Sequence, residues 1–167
     1  KGEVHLYERQ SDGLYNFSQS FKPAKRKAFD QYGTKLALSE DFFAVGVPGF
    51  SIDGQLNSGA VILYHKKEGS ANWSEASILS ATNPMYAERF STVALSGDQI
   101  MLGLPTRKIG DKKYAGAFYA SNASVLSNNG SLEDIYSPVL YPNPTHGSLF
   151  LKNIVASKIF KKFNTKR

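Results

Sequence analysis

With 167 residues and no cysteine, the chain can form neither a disulfide nor a thiolate metal site. Its net charge of +6 invites a nucleic-acid reading, but six basic residues and no acid fall between Lys152 and Arg167, which leaves 14 basic against 14 acidic residues over 1–151. A groove that tracks phosphates needs its charge on the folded face, so the excess reads as a solvated tail and argues against a nucleic-acid partner.

No apolar run approaches the roughly 20 residues of a membrane helix, so no transmembrane segment is expected. In chain order, Gly2–Glu8 alternates and reads as a strand, followed by a turn at Ser11-Asp12-Gly13 and a second, more exposed strand over Leu14–Phe21. The run Lys22–Lys27 reads as a solvated basic loop. Gly33–Ser39 and Phe42–Val47 predict a hairpin across Glu40-Asp41. Ser58–His65 follows the Asp53-Gly54 turn, and Trp73–Leu79 is the next strand. Ser91–Leu95 and Gln99–Leu104 predict a second hairpin across Gly97-Asp98, and Tyr114–Ser121 is the last strand. No window carries a helical period, so the class is all-β.

One stretch occurs twice. Tyr32–Tyr64 and Phe90–Tyr119 each open on an aromatic and a small residue, Tyr32-Gly33 or Phe90-Ser91. Each then reaches a Gly-x-Pro step, Gly46-Val47-Pro48 or Gly103-Leu104-Pro105, and later a Gly-Ala step, Gly59-Ala60 or Gly116-Ala117. A partial copy at the start matches Gly2–Tyr7 to Gly59–Tyr64, so Gly2, Gly59 and Gly116 stand 57 residues apart. A fixed period of this size marks a solenoid or propeller. Hairpin, strand, strand within one period is the four-stranded antiparallel unit of a β-propeller blade. The expected fold is a partial β-propeller, with one complete and two incomplete four-stranded antiparallel blades over 1–121, followed by a 122–137 linker and a short C-terminal β segment over 138–167. Because the sequence opens inside a repeat, it reads as the C-terminal piece of a longer protein. Its end sheets are expected to keep open edges and an uncovered apolar face, and therefore to be marginal or to self-associate.

Tyr32-Gly33 with Gly46-Val47-Pro48, and Phe90-Ser91 with Gly103-Leu104-Pro105, resemble the FG-GAP repeat of integrin-α-like propellers. Gly59–Tyr64 and Trp73 resemble the strand and tryptophan that follow in bacterial versions. Phe90-Ser91 departs from the pattern in lacking the glycine, and neither Gly-x-Pro has the usual alanine. Many members of the family carry an Asp-rich calcium loop between the first two strands of a blade. Here Ser39-Glu40-Asp41 and Ser96-Gly97-Asp98 are too short to wrap an ion that needs six to eight oxygens, and Asp53 and Asp111 stand alone, so no cofactor or metal is expected.

Beyond Ser121 the composition becomes small and polar. The string Tyr141-Pro142-Asn143-Pro144-Thr145-His146-Gly147 then resembles the opening of the C-terminal sorting domain of the type IX secretion system. That resemblance implies export across the outer membrane of a Bacteroidetes-type bacterium, with the secretion machinery as a partner. The domain looks truncated, because only one strand, over 148–151, is recognisable before the basic end. His5, His65 and His146 have no carboxylate or nucleophile at triad spacing, so no catalytic residue is nominated. The expected function is a secreted or cell-surface, non-catalytic binding or adhesion module. Its protein or glycan ligand would be met by the loops Gly49–Ser58 and Thr106–Ala115. The alternative is an accessory region of a secreted enzyme whose catalytic domain lies upstream.

Overall fold

The computed structural model describes residues 2–23, 27–108, 110–111 and 114–128. Among the described residues nine strands form three antiparallel sheets, so the fold class is all-β. The first sheet pairs β1 (Val4–Arg9) with β2 (Tyr15–Phe21). The second runs β3 (Lys35–Leu38), β4 (Phe42–Val47), β5 (Ala60–Lys66), β6 (Trp73–Leu79). The third runs β7 (Thr92–Ser96), β8 (Gln99–Leu104), β9 (Ala117–Asn122).

The period seen in the sequence is carried into the hydrogen-bond ladders. Lys35 faces Gly46 and Thr92 faces Gly103; Val47 faces Ala60 and Leu104 faces Ala117; Phe42 faces His65 and Gln99 faces Asn122. In every case both partners shift by 57. The two-stranded sheet repeats the outer half of the second one. Val4 pairs with Phe21 as Val61 pairs with Leu79, and both ladders break register at equivalent points, Leu6/Tyr7 and Leu63/Tyr64. Such a bulge increases local twist, so its recurrence preserves the curvature of the outer strand pair.

Six strands begin one to three residues later than expected, three of them behind a glycine of left-handed conformation. Gly33, Gly59 and Gly116 have φ of 91, 85 and 77, so each turns the chain ahead of the ladder rather than joining it. Gly59 is further constrained. A Cβ there would collide with the backbone of Phe90, and the two residues form a parallel bridge with the Phe90 N–H donating to the Ser58 carbonyl at 2.8 Å. Gly2 meets the Tyr32 carbonyl in the same way, one repeat earlier.

Apolar residues on both faces of the second sheet build two cores. Phe43, Val45, Ile62 and Tyr64 pack against Val4 and Phe21 of the first sheet, while Phe42, Ala44, Val61 and Leu63 pack against Ile100, Leu102 and Tyr119 of the third. This two-sided burial explains why β4 reads as a continuous apolar run rather than an alternation. Within the first core the hydroxyls of Tyr32 and Tyr64 meet at 2.8 Å, and burial pushes both above the ordinary tyrosine range. At the outer edge the Gln19 amide makes two bonds to the backbone of Trp73, Nε2 to its carbonyl at 2.9 Å and Oε1 from its N–H at 3.0 Å. The outer surfaces are less well covered. Tyr7 and Phe17 form an exposed edge-to-face pair, and Leu36 and Leu38 of β3 lie open on the side where no inner strand pair of the first sheet stands among the described residues.

Residues 122–128, which composition places in a linker, carry structure. Asn122 ends β9, and Ala123–Ser127 form α1, with Ala123 and Leu126 fully buried in the second core. Five residues are too few to show a helical period. The helix depends instead on Asp98, which accepts from the Ser124 N–H at 2.7 Å and from its hydroxyl at 2.8 Å, while the Asp98 carbonyl takes the Ala123 N–H at 2.7 Å. Residues 138–167, including the sorting-like string, lie outside the described residues. No helix among the described residues is long and apolar enough to cross a membrane.

Two tests follow from this packing. Gly59→Ala should cost about 3–5 kcal/mol, combining left-handed strain with a backbone clash, whereas Gly54→Ala, with similar φ but open space around it, should cost only about 1 kcal/mol. Urea denaturation of the two variants measures the contrast. The second test concerns Glu75, an exposed residue opposite Tyr64 whose carboxyl is partly desolvated by its neighbours and so held above the ordinary value of 4.5. A raised folded-state pKa means that stability falls as pH rises from that value upward. Glu75→Gln should therefore be more stable than the parent at pH 7, and the gap should close below pH 4 in melts run across that range.

Candidate functional site: the loop face

Alternation of strand direction gathers four connections at one end of the sheets: 22–34, 48–59, 80–91 and 105–116. Each connection is bonded to the next. The Asp30 carbonyl accepts from Gly49 N–H at 2.9 Å, and Leu56 and Asn57 carbonyls accept from Ala87 and Arg89 N–H groups at 2.9 and 3.0 Å. The Glu88 carbonyl then accepts from the Thr106 hydroxyl at 2.8 Å. The result is a continuous face of loops held by main-chain bonds on a rigid scaffold, the usual setting for recognition.

A buried acid organises each inter-sheet connection. Asp30 and Glu88 are 5% and 3% exposed and stand two residues before the openers Tyr32 and Phe90. Each carboxylate accepts the N–H three residues earlier, Lys27 to Asp30 at 2.7 Å and Met85 to Glu88 at 3.2 Å. Both acids are bracketed by left-handed residues, Phe29 and Gln31 in one turn, Ala87 and Arg89 in the other. Arg107 reaches the second acid from the next loop, with Nη1 at 2.7 and 3.0 Å from the two carboxylate oxygens. The same Nη1 also donates to the Asn83 carbonyl at 3.2 Å and Nη2 donates to the Thr82 carbonyl at 3.1 Å, so charge-assisted bonds hold the pair where solvent is scarce. Arg89 and Gln31, equivalent positions in successive turns, hydrogen-bond at 2.5 Å and tie one connection to the other. In the intervening loop, Asp53 and Gly54 both take positive φ and close a two-residue turn with the Gln55 N–H donating to the Ile52 carbonyl at 2.8 Å.

The repeat residues singled out in the sequence frame this face. Tyr32, Gly46, Pro48, Gly59 and Phe90 are buried at the junctions, and a Cβ on Gly46 would strike the Ser91 carbonyl. Gly33 lies against Val4. Gly103, Pro105 and Gly116 occupy the same register positions but are more exposed, because no further sheet covers the third one among the described residues. Tyr141, Pro142, Asn143, Pro144, Thr145 and Gly147 lie outside the described residues. His65 stacks on Phe42, and His5 sits beside Phe17 on the exposed outer side of the first sheet. Among the described residues no three His, Asp or Glu side chains converge to hold a metal.

Sequence reading passed over Asp30, Glu88, Arg107 and Gln19, and saw Asp98 only as a turn residue. The first two leave a signal, an acid two places before the aromatic opener in both copies. Arg107 leaves none, since its counterpart in the previous repeat is Phe50. Comparison with protein-family models and with curated protein sequences finds no match to this chain.

Breaking the ion pair from one side strands a buried carboxylate. Arg107→Met should lower stability by about 3–5 kcal/mol, and adding Glu88→Gln should recover part of that loss. Denaturant unfolding of the single and double variants checks this.

Proposed function

We propose that the chain is the C-terminal part of a secreted or cell-surface bacterial β-propeller of FG-GAP type, acting as a non-catalytic binding or adhesion module. The observation that carries this reading is the ladder register, which repeats at 57 residues between the four- and three-stranded sheets, recurs with the same bulge in the two-stranded one, and places Gly2 and Gly59 against the opener of the next repeat. Sheets that pack face to face, each in the same relation to the next, are what a blade array requires. The exposed Tyr7, Phe17, Leu36 and Leu38 suit a further blade on the side of the first sheet. A ligand would be met by the loop face, where the bonded connections give a preorganised surface. Export by the type IX system rests on the Tyr141–Gly147 string and its resemblance to a sorting-domain opening.

Labelling intact cells of the producing bacterium with an antibody to residues 49–58 tests the reading. Surface signal that disappears when the type IX translocon is disrupted is the expected result. A protein found only in the cytoplasmic fraction, protected from added protease, would overturn it.

A further inference from the structure

We propose that the loop face binds an oligosaccharide, with Phe29, Tyr86 and Tyr114 as separate stacking platforms for its sugar rings. This inference rests on the reading of that face as a ligand-binding surface and specifies what it takes.

The repeat supplies an internal control for each of these positions. In the ladder and turn equivalence, Phe29 corresponds to Ala87, Tyr86 to Ala28 and Tyr114 to Asn57. The turns therefore close with a small residue at all three places. Phe29 and Ala87 both adopt left-handed φ, 71 and 56, as do Tyr114 and Asn57, at 56 and 52. Asn tolerates that region, whereas a bulky aromatic there is a genuine outlier that carries backbone strain. Packing gives no return for it, because Phe29, Tyr86 and Tyr114 are 83%, 69% and 76% exposed. A large ring held in solvent where the other copy uses Ala or Asn, and at a strained position in the case of Phe29 and Tyr114, is retained for something other than folding.

The arrangement also selects the class of ligand. The three rings come from three different connections, 22–34, 80–91 and 105–116, so one ligand must extend across the face to use them. None of the three pairs with another aromatic ring among the described residues, so each ring is a discrete platform. A protein partner would need a contiguous, desolvated core. A sugar chain instead presents apolar C–H faces at intervals, with hydroxyls between them. Gln31, Asn83 and Arg89, exposed on two of these connections, and Gln55 on the intervening one offer the amide and guanidinium groups that hydroxyls bond.

The test applies the 167-residue chain, with its fold checked by circular dichroism, to an array of neutral hexose and N-acetylhexosamine oligosaccharides. A parallel surface carries cell-surface glycoproteins before and after enzymatic deglycosylation. Binding to one group of neutral oligosaccharides is expected. Phe29→Ala, Tyr86→Ala and Tyr114→Asn should each weaken it by about tenfold or more, with melting temperatures equal to or above the parent. Binding to glycoproteins that survives deglycosylation overturns the glycan assignment and leaves the loop-face reading intact. Oligosaccharide binding that all three variants retain overturns the platform role. A blank result on both surfaces by the folded chain overturns the inference and counts against the binding-module reading as well.

Discussion

The junction between successive sheets is a meeting of backbone with backbone, with no room for a side chain. At Gly59 the main chain of Phe90 occupies the place a Cβ would take, and at Gly46 the Ser91 carbonyl does so. Because a peptide group cannot be repacked as a side chain can, this contact fixes where the next sheet begins. Everything distal to it inherits that placement: Phe90 drops into the second core with no exposure, β7 starts two residues later, and the turn around Glu88 is drawn under the loop face. Gln19 secures the same relation at the far edge between the first two sheets, so the pair is held at its inner and outer margins.

The buried acids take over where the strands stop. A connection whose residues alternate between left-handed and other conformations has little intrinsic stability, and its N–H groups cannot pair in a ladder. Asp30 and Glu88 supply an acceptor inside each turn, and their own carbonyls bond the next loop. The loop face is thereby stiffened by the same residues that begin each new sheet, which couples the rigidity of the surface to the correctness of the repeat. Arg107 extends the arrangement only in the second copy, so the two turns share a backbone plan but differ in the charge that supports it.

The sequence made the strands legible because apolar runs and turn residues recur in register; β4, β6 and β8 have the limits expected from Phe42–Val47, Trp73–Leu79 and Gln99–Leu104. It misplaced strand starts at Gly33, Gly59 and Gly116, since composition shows a glycine but not the sign of its φ. The helix at Ala123–Ser127 was hidden for a different reason. Its stability comes from Asp98, 25 positions before the start of the helix, and from burial of Leu126. The candidate site was half visible: its loops could be located from their variability, but the ion pair between Glu88 and Arg107 joins two connections and leaves no local pattern. Exposed aromatics such as Phe29 and Tyr114 stood out only once the equivalent positions of the other copy were known.

The spacing between copies is not the same everywhere, and that bears on how such a chain can change. The partners in β1, β3 and β4 are offset from their counterparts by 57, whereas every residue of β2 is offset from its counterpart in β6 by 58, as are Tyr32 and Phe90. The second copy has gained one residue in the β5–β6 turn and lost one just ahead of β7, where Thr34 has no counterpart. The two indels cancel before the next ladder begins. Divergence by insertion and deletion has therefore been admitted only in solvent-facing connections, in a compensated pair, while the hydrogen-bonded frame kept its count. Loop grafting on this scaffold would be bound by the same arithmetic: the tips are editable, and the distance between one junction glycine and the next is not.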